Sequence, residues 1–143
     1  MQDFRKQFNP SKDTIFMSSM QRGCDSLSSD LSRIETFFEV NGYKFASSES
    51  EASVIVLGSC VFKNDLICIE KKRIARTASA HPNSCLIVFG CLPGFEHGMR
   101  DAGRIVMIGT RSMGRFDNLF EHSVPVASVH TSGLSSDYKS YCE

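Results

Sequence analysis

The sequence has no surplus of charge, no long apolar run and no catalytic fingerprint, and each absence removes a class of function. Sixteen basic residues balance sixteen acidic ones, so the formal net charge is zero. Such a balance gives no strong electrostatic footprint for nucleic acid or for an anionic membrane. The longest apolar runs are Val54 to Leu57 and Cys85 to Phe89, far short of the roughly 20 residues that cross a bilayer. The opening residues, Met-Gln-Asp-Phe-Arg-Lys-Gln, lack the apolar stretch of a signal peptide. A cytoplasmic protein without a membrane partner is therefore expected. There is no internal repeat, no Ser–His–Asp pattern, no P-loop and no Gly-x-Gly-x-x-Gly fingerprint. No catalytic residue is assigned on these grounds.

What is present suits one domain with a real core. The chain has 143 residues, of which 41% are hydrophobic and 22% charged, an ordinary balance for a globular protein. Residues 1–13 are polar and read as a flexible lead-in, residues 14–129 as the domain, and residues 130–143, rich in Ser, Gly and Thr, as a flexible tail. Thr14 to Met17 reads as a first strand. Leu27, Leu31, Ile34, Phe37 and Phe38 recur at three- and four-residue spacing, which predicts a helix capped by Ser28 or Ser29 and ended by Asn41-Gly42. Tyr43 to Phe45 suggests a short edge strand. Val54 to Leu57 and Cys85 to Phe89 are apolar without alternation, the signature of strands buried on both faces. A helix over Asn64 to Ala80 separates them, and a last strand, Arg104 to Ile108, precedes a helix containing Phe116, Leu119 and Phe120. Alternating strands and helices predict an α/β fold: an open, mostly parallel sheet with helices on both faces.

Six cysteines stand at 24, 60, 68, 85, 91 and 142. In a reducing compartment the choices are buried thiols, a metal site or a catalytic thiol. Cys68, within a helix, and Cys85, within an apolar strand, read as small buried hydrophobes. Cys24, Cys60 and Cys91 differ because each follows a predicted strand, and each interval between them is about one strand–helix–strand unit. Loops at the carboxyl ends of parallel strands line a common crevice, so the three thiols are expected to meet there. Gly23, Ser59 and Gly90 precede them, and glycine lets a backbone approach a bulky inorganic ligand and offer it amide donors. Thiolates are the soft ligands of iron–sulfur clusters. Zinc on the same thiols, and inert thiols in a flavodoxin-like module that binds a nucleotide or a protein, remain alternatives at this level.

The motifs also carry a resemblance. Gly23-Cys24, Asp30, Asn41-Gly42-Tyr43, Ala52 to Cys60, the charged stretch Glu70 to Arg76, His81-Pro82, and Leu86 to Phe89 closed by Gly90-Cys91 occur in that order. Together, over residues 14 to 122, they resemble the N-terminal domain of radical-SAM methylthiotransferases. Those enzymes place a methylthio group on a tRNA adenosine or on an aspartate of a ribosomal protein. The resemblance implies a flavodoxin-like fold and an auxiliary [4Fe-4S] cluster on Cys24, Cys60 and Cys91, with one open iron that carries the sulfur to be transferred. The residues beside these cysteines, Gly23, Ser59 and Gly90, are the candidate cofactor-binding positions.

The radical-SAM barrel and RNA-binding barrel that follow in such enzymes do not fit in the remaining residues, so a radical-SAM protein or domain supplied separately is the expected partner. The tail supports this expectation: against Gly-Cys-x3-Cys-x-Tyr-Cys it matches only at Tyr141-Cys142, with Ser135 and Lys139 where two cysteines belong. Two further departures are local. The asparagine usual shortly after the first cysteine is absent, and the segment 94–102 is short, which predicts a stunted third helix. Lys71, Lys72, Arg73 and Arg76 read as the solvated face of a helix. His81, His97, His122 and His130 show no metal spacing, and Gly109-Thr110-Arg111 reads as a turn in preference to an anion nest.

Overall fold

In the computed structural model, residues 7–20, 25–60, 64–95 and 103–129 are described. Five strands, β1 (Thr14–Ser19), β2 (Lys44–Phe45), β3 (Val54–Ser59), β4 (Cys85–Gly90) and β5 (Ile105–Gly109), form one sheet in the order β2-β1-β3-β4-β5. Every pairing is parallel. Between them run the helices α1 (Asp25–Val40), α2 (Asn64–Ala80) and α3 (Leu92–Phe95), and α4 (Arg115–Leu119) follows β5. This is the flavodoxin-like doubly wound order, in which the chain first winds one way from β1 and then the other way from β3. The switch point therefore lies between β1 and β3.

Alternation along the central strands explains why both faces are covered. Val54, Val56, Ile87 and Phe89 point to the side of α1, where Leu27, Leu31, Ile34, Phe37 and Phe38 meet them. Ile55, Leu57, Leu86 and Val88 point to the other side, against Ile74 of α2 and Leu92 of α3. The α1 side is the aromatic one. Phe38 packs edge-on against Tyr43, Phe116 and Phe120 at ring separations of 5.4, 6.1 and 4.9 Å. Burying each such ring stabilises the domain by about 2–3 kcal/mol.

Helix α1 ends as the Asn41-Gly42 pair predicts. Gly42 has φ +86°. The N–H of Tyr43 reaches the Phe38 carbonyl at 2.9 Å and that of Gly42 the Glu39 carbonyl at 3.2 Å, the paired bonds of a Schellman cap. The start differs from expectation. The helix begins at Asp25, three residues before Ser28, so Ser28 and Ser29 lie inside it and do not cap it. An acidic residue in the first turn favours the helix dipole, a signal weaker than apolar periodicity.

The segment before β1 is tied in from Gln7 onward. The amides of Gln7 and Phe8 both reach the Leu119 carbonyl at 3.0 Å, and Phe8 stacks on Phe120 with ring centroids 4.8 Å apart. At the far end Val126 and Val129 are buried in the aromatic core. Helix α3 is described over Leu92–Phe95, and the rest of the segment expected to hold a stunted third helix lies outside the described residues. Among the described residues no helix is long and apolar enough to cross a membrane.

Candidate metal centre

The carboxyl edge of the sheet brings two of the three strand-end cysteines together. Ser59 of β3 is in register with Gly90 of β4, so Cys60 and Cys91 leave adjacent strands one residue beyond a paired position. Cys60 is buried and Cys91 exposed, and neither is in a disulfide. Cys24 and Gly23 lie outside the described residues, in the connection that opens between Met20 and Asp25. That connection starts at the same edge, because Ser19 of β1 is in register with Gly58 of β3. Among the described residues no group of three His, Cys, Asp or Glu side chains is placed to hold a metal. A three-thiol site would need Cys24 for its third member.

Local backbone chemistry at this edge is specific. Gly90 has φ +133°, and a Cβ there would sit 2.2 Å from the Ser59 carbonyl oxygen and 2.7 Å from its Oγ. Glycine is thus required by both conformation and space. Ser59 is 0% exposed. Its hydroxyl donates to the Phe89 carbonyl at 3.2 Å and accepts the Leu92 amide at 3.1 Å, while its carbonyl accepts the Cys91 amide at 3.2 Å. Ser59 therefore binds the turn that carries Cys91 to the strand that carries Cys60. Gly58 serves packing: a Cβ there would meet Leu31 Cδ1 at 2.8 Å.

The other cysteines depart in part from expectation. Cys68 is exposed, not buried, because the buried face of α2 passes through Glu70, Ile74 and Thr77 and leaves positions 68 and 69 outward. Cys85 is half-buried at the amino end of β4, the opposite end of the sheet, packed against the aromatic core.

One residue near the site was not singled out from the sequence. Glu70 is 0% exposed, and its Oε2 accepts the Cys60 amide at 3.2 Å. The basic run after it is largely solvated, as read: Lys71, Lys72 and Arg76 are exposed. Arg73 departs from that reading, since it is half-buried and donates to Glu49 at 2.7 Å, beside His81 at 3.2 Å from the same carboxylate. The Gly109 to Arg111 segment is a turn closed by the Ser112 amide on the Gly109 carbonyl at 2.9 Å.

A cleft of about 450 Å³ lies at the amino edge, lined by Asp13, Ser53, Cys85, Arg104 and Arg115 among others. Neither Cys60 nor Cys91 lines it. Burial pushes the Tyr43 hydroxyl upward, helped by the negative charges of Glu121 and Asp13. Burial also raises the Asp30 carboxyl, with Arg33 opposing.

A doubly wound parallel sheet with Cys60 and Cys91 just beyond the carboxyl ends of neighbouring strands defines the class: an open, flavodoxin-like α/β domain with strand-end thiols. The particular family follows from comparison: residues 16–103 match the model described as uncharacterized protein family UPF0004. The chain belongs to this family, which is the N-terminal domain family of the radical-SAM methylthiotransferases. No curated protein and no solved structure is significantly similar to the chain.

Proposed function

We propose that the domain binds a [4Fe-4S] cluster on Cys24, Cys60 and Cys91 and serves as the sulfur-donating module of a methylthiotransferase. The observation that carries this reading is the register Ser59–Gly90, which sets two cysteines at the ends of neighbouring strands of a family-matched domain. The donor set suits the group: thiolates are soft ligands, and a glycine that admits no Cβ leaves room at the backbone. Zinc would accept the same thiols, but family membership favours iron and sulfide.

When bound, the cluster would supply an iron without a protein ligand, at which a small sulfur species can be held. The chain's own residues do the rest. Cys60 anchors from within the core, Cys91 anchors at the solvent side, and Ser59 keeps the two turns together. Gly90 lets the main chain come close. The SAM-cleaving centre belongs to a radical-SAM protein or domain that works with this one, and the methylthiolated substrate is a tRNA or a protein. A reducing compartment such as the cytoplasm keeps the thiols available.

Anaerobic reconstitution with iron and sulfide tests the reading. About four irons per chain and a brown protein are expected, and added methanethiolate should perturb the EPR spectrum through the open iron. A reconstituted protein that holds zinc and no iron would refute it.

A further inference from the structure

Helix α2 carries a carboxylate where its packing face calls for an apolar side chain. Glu70 stands between half-buried Ile67 and buried Ile74, three and four residues away, on the face turned to β3 and β4. It is 0% exposed. Removing a carboxylate from water costs several kcal/mol unless partners meet its oxygens, and an apolar residue of similar volume carries no such cost. What an apolar residue cannot do is accept a hydrogen bond. Glu70 Oε2 accepts one from the backbone N–H of Cys60 at 3.2 Å.

We propose that Glu70 is a positioning residue of the cluster site, fixing the main chain of the Cys60 ligand and setting a negative charge beside the cluster that holds its reduction potential down. The inference rests on the cluster reading above. Two physical effects act in the same direction. The Cys60 amide, engaged by Glu70, is withheld from the cluster's sulfurs, and fewer N–H donors to sulfur lower the potential. The fixed negative charge also disfavours adding an electron nearby, most strongly where water is excluded. Helix α2 serves as the rigid support, because Glu70 lies one and a half turns inside it and its own position is set by the packing of Ile74.

The test compares the reconstituted chain with its E70Q and E70L variants, reading iron per chain and a dithionite titration of the cluster. E70Q keeps the size and an acceptor oxygen but loses the charge. It should hold wild-type iron yet show a roughly tenfold higher ratio of reduced to oxidised cluster at the wild-type midpoint, equivalent to about 59 mV for one electron. E70L removes the acceptor and the buried charge, so it should lose iron several-fold while the apo domain melts no lower than wild type. A purely structural Glu70 predicts the reverse pattern. Either a wild-type potential in E70Q or full iron in a folded E70L overturns the role of Glu70, and if E70L does not fold, the E70Q potential decides. A wild-type chain that takes up no iron sinks the cluster reading itself, and with it this role; a loaded wild type with an indifferent E70Q sinks this role alone.

Discussion

The two ends of the sheet are joined by different chemistry. At the amino edge, long polar side chains reach between loops. Asp13, almost fully buried, accepts the Ser53 hydroxyl at 2.9 Å and the Asn9 amide at 2.9 Å. Ser84 donates to the Ala52 carbonyl at 2.7 Å, and Arg104 donates to the carbonyls of Ser84 and His81. Tyr43 joins the Phe8 and Glu121 carbonyls at 3.1 and 2.8 Å. At the carboxyl edge, the ties among the described residues include the Ser59 hydroxyl on the Phe89 carbonyl, the buried Glu70 carboxylate on the Cys60 amide, and Gly90 pressed against the Ser59 carbonyl. Side-chain bridges close the first end. At the second end, among the described residues, Ser59, Glu70 and Gly90 tie the strand ends that carry Cys60 and Cys91 through bonds to backbone groups.

This contrast can be broken most forcefully at Gly90. G90A forces a Cβ into the Ser59 carbonyl in a left-handed conformation, and a loss of about 3–5 kcal/mol is expected in urea unfolding of the apo domain. A cost under about 1 kcal/mol would show that the edge yields easily. D13A strikes the other end. It strands the Asn9 amide and leaves the Ser53 hydroxyl only the Thr14 carbonyl at 3.2 Å, for a cost of about 1–3 kcal/mol, yet it should leave iron uptake at the wild-type level. Iron loss in folded D13A would erase the division between the ends.

Tyr43 gives a smaller, pH-dependent effect at the amino edge. Its hydroxyl holds its proton more tightly in the folded chain than in the unfolded one. The associated stability is complete below the ordinary value of about 10 and is lost as pH rises above it. Thermal melts should thus fall between about pH 9 and pH 11 more steeply than those of Y43F. Parallel curves would contradict the buried hydroxyl. The smallest effect belongs to C68S: an exposed thiol on α2 should change stability by less than about 0.5 kcal/mol and iron not at all.

Most of the fold was legible because the central strands are buried on both faces and so read as unbroken apolar runs. Helix α2 was found with its observed bounds, Asn64–Ala80. What escaped were polar residues doing buried work. Strands β1 and β3 run on through Ser18-Ser19 and Gly58-Ser59, where composition suggests loops, because their backbone partners satisfy them in the sheet. Glu70 begins a charged run and looks solvated. Its spacing from Ile67 and Ile74 was the available signal, a polar residue on an apolar face. The same periodicity places Cys68 outward, which the general burial of cysteine obscured. The placement of Cys60 and Cys91 just beyond neighbouring strand ends was readable from the strand pattern, whereas the bonds of their amides to Glu70 and Ser59 depend on contacts that spacing alone does not encode.

The central claim is that the carboxyl edge, and not the other thiols, holds the metal. Iron per chain after anaerobic reconstitution of five single variants tests it directly. C24A, C60A and C91A should each lose most of the iron, since two thiolates hold a cluster poorly, while C68A and C85A should keep about four irons per chain. Full iron in C60A or C91A, or its loss in C68A or C85A with the fold intact, would contradict the account.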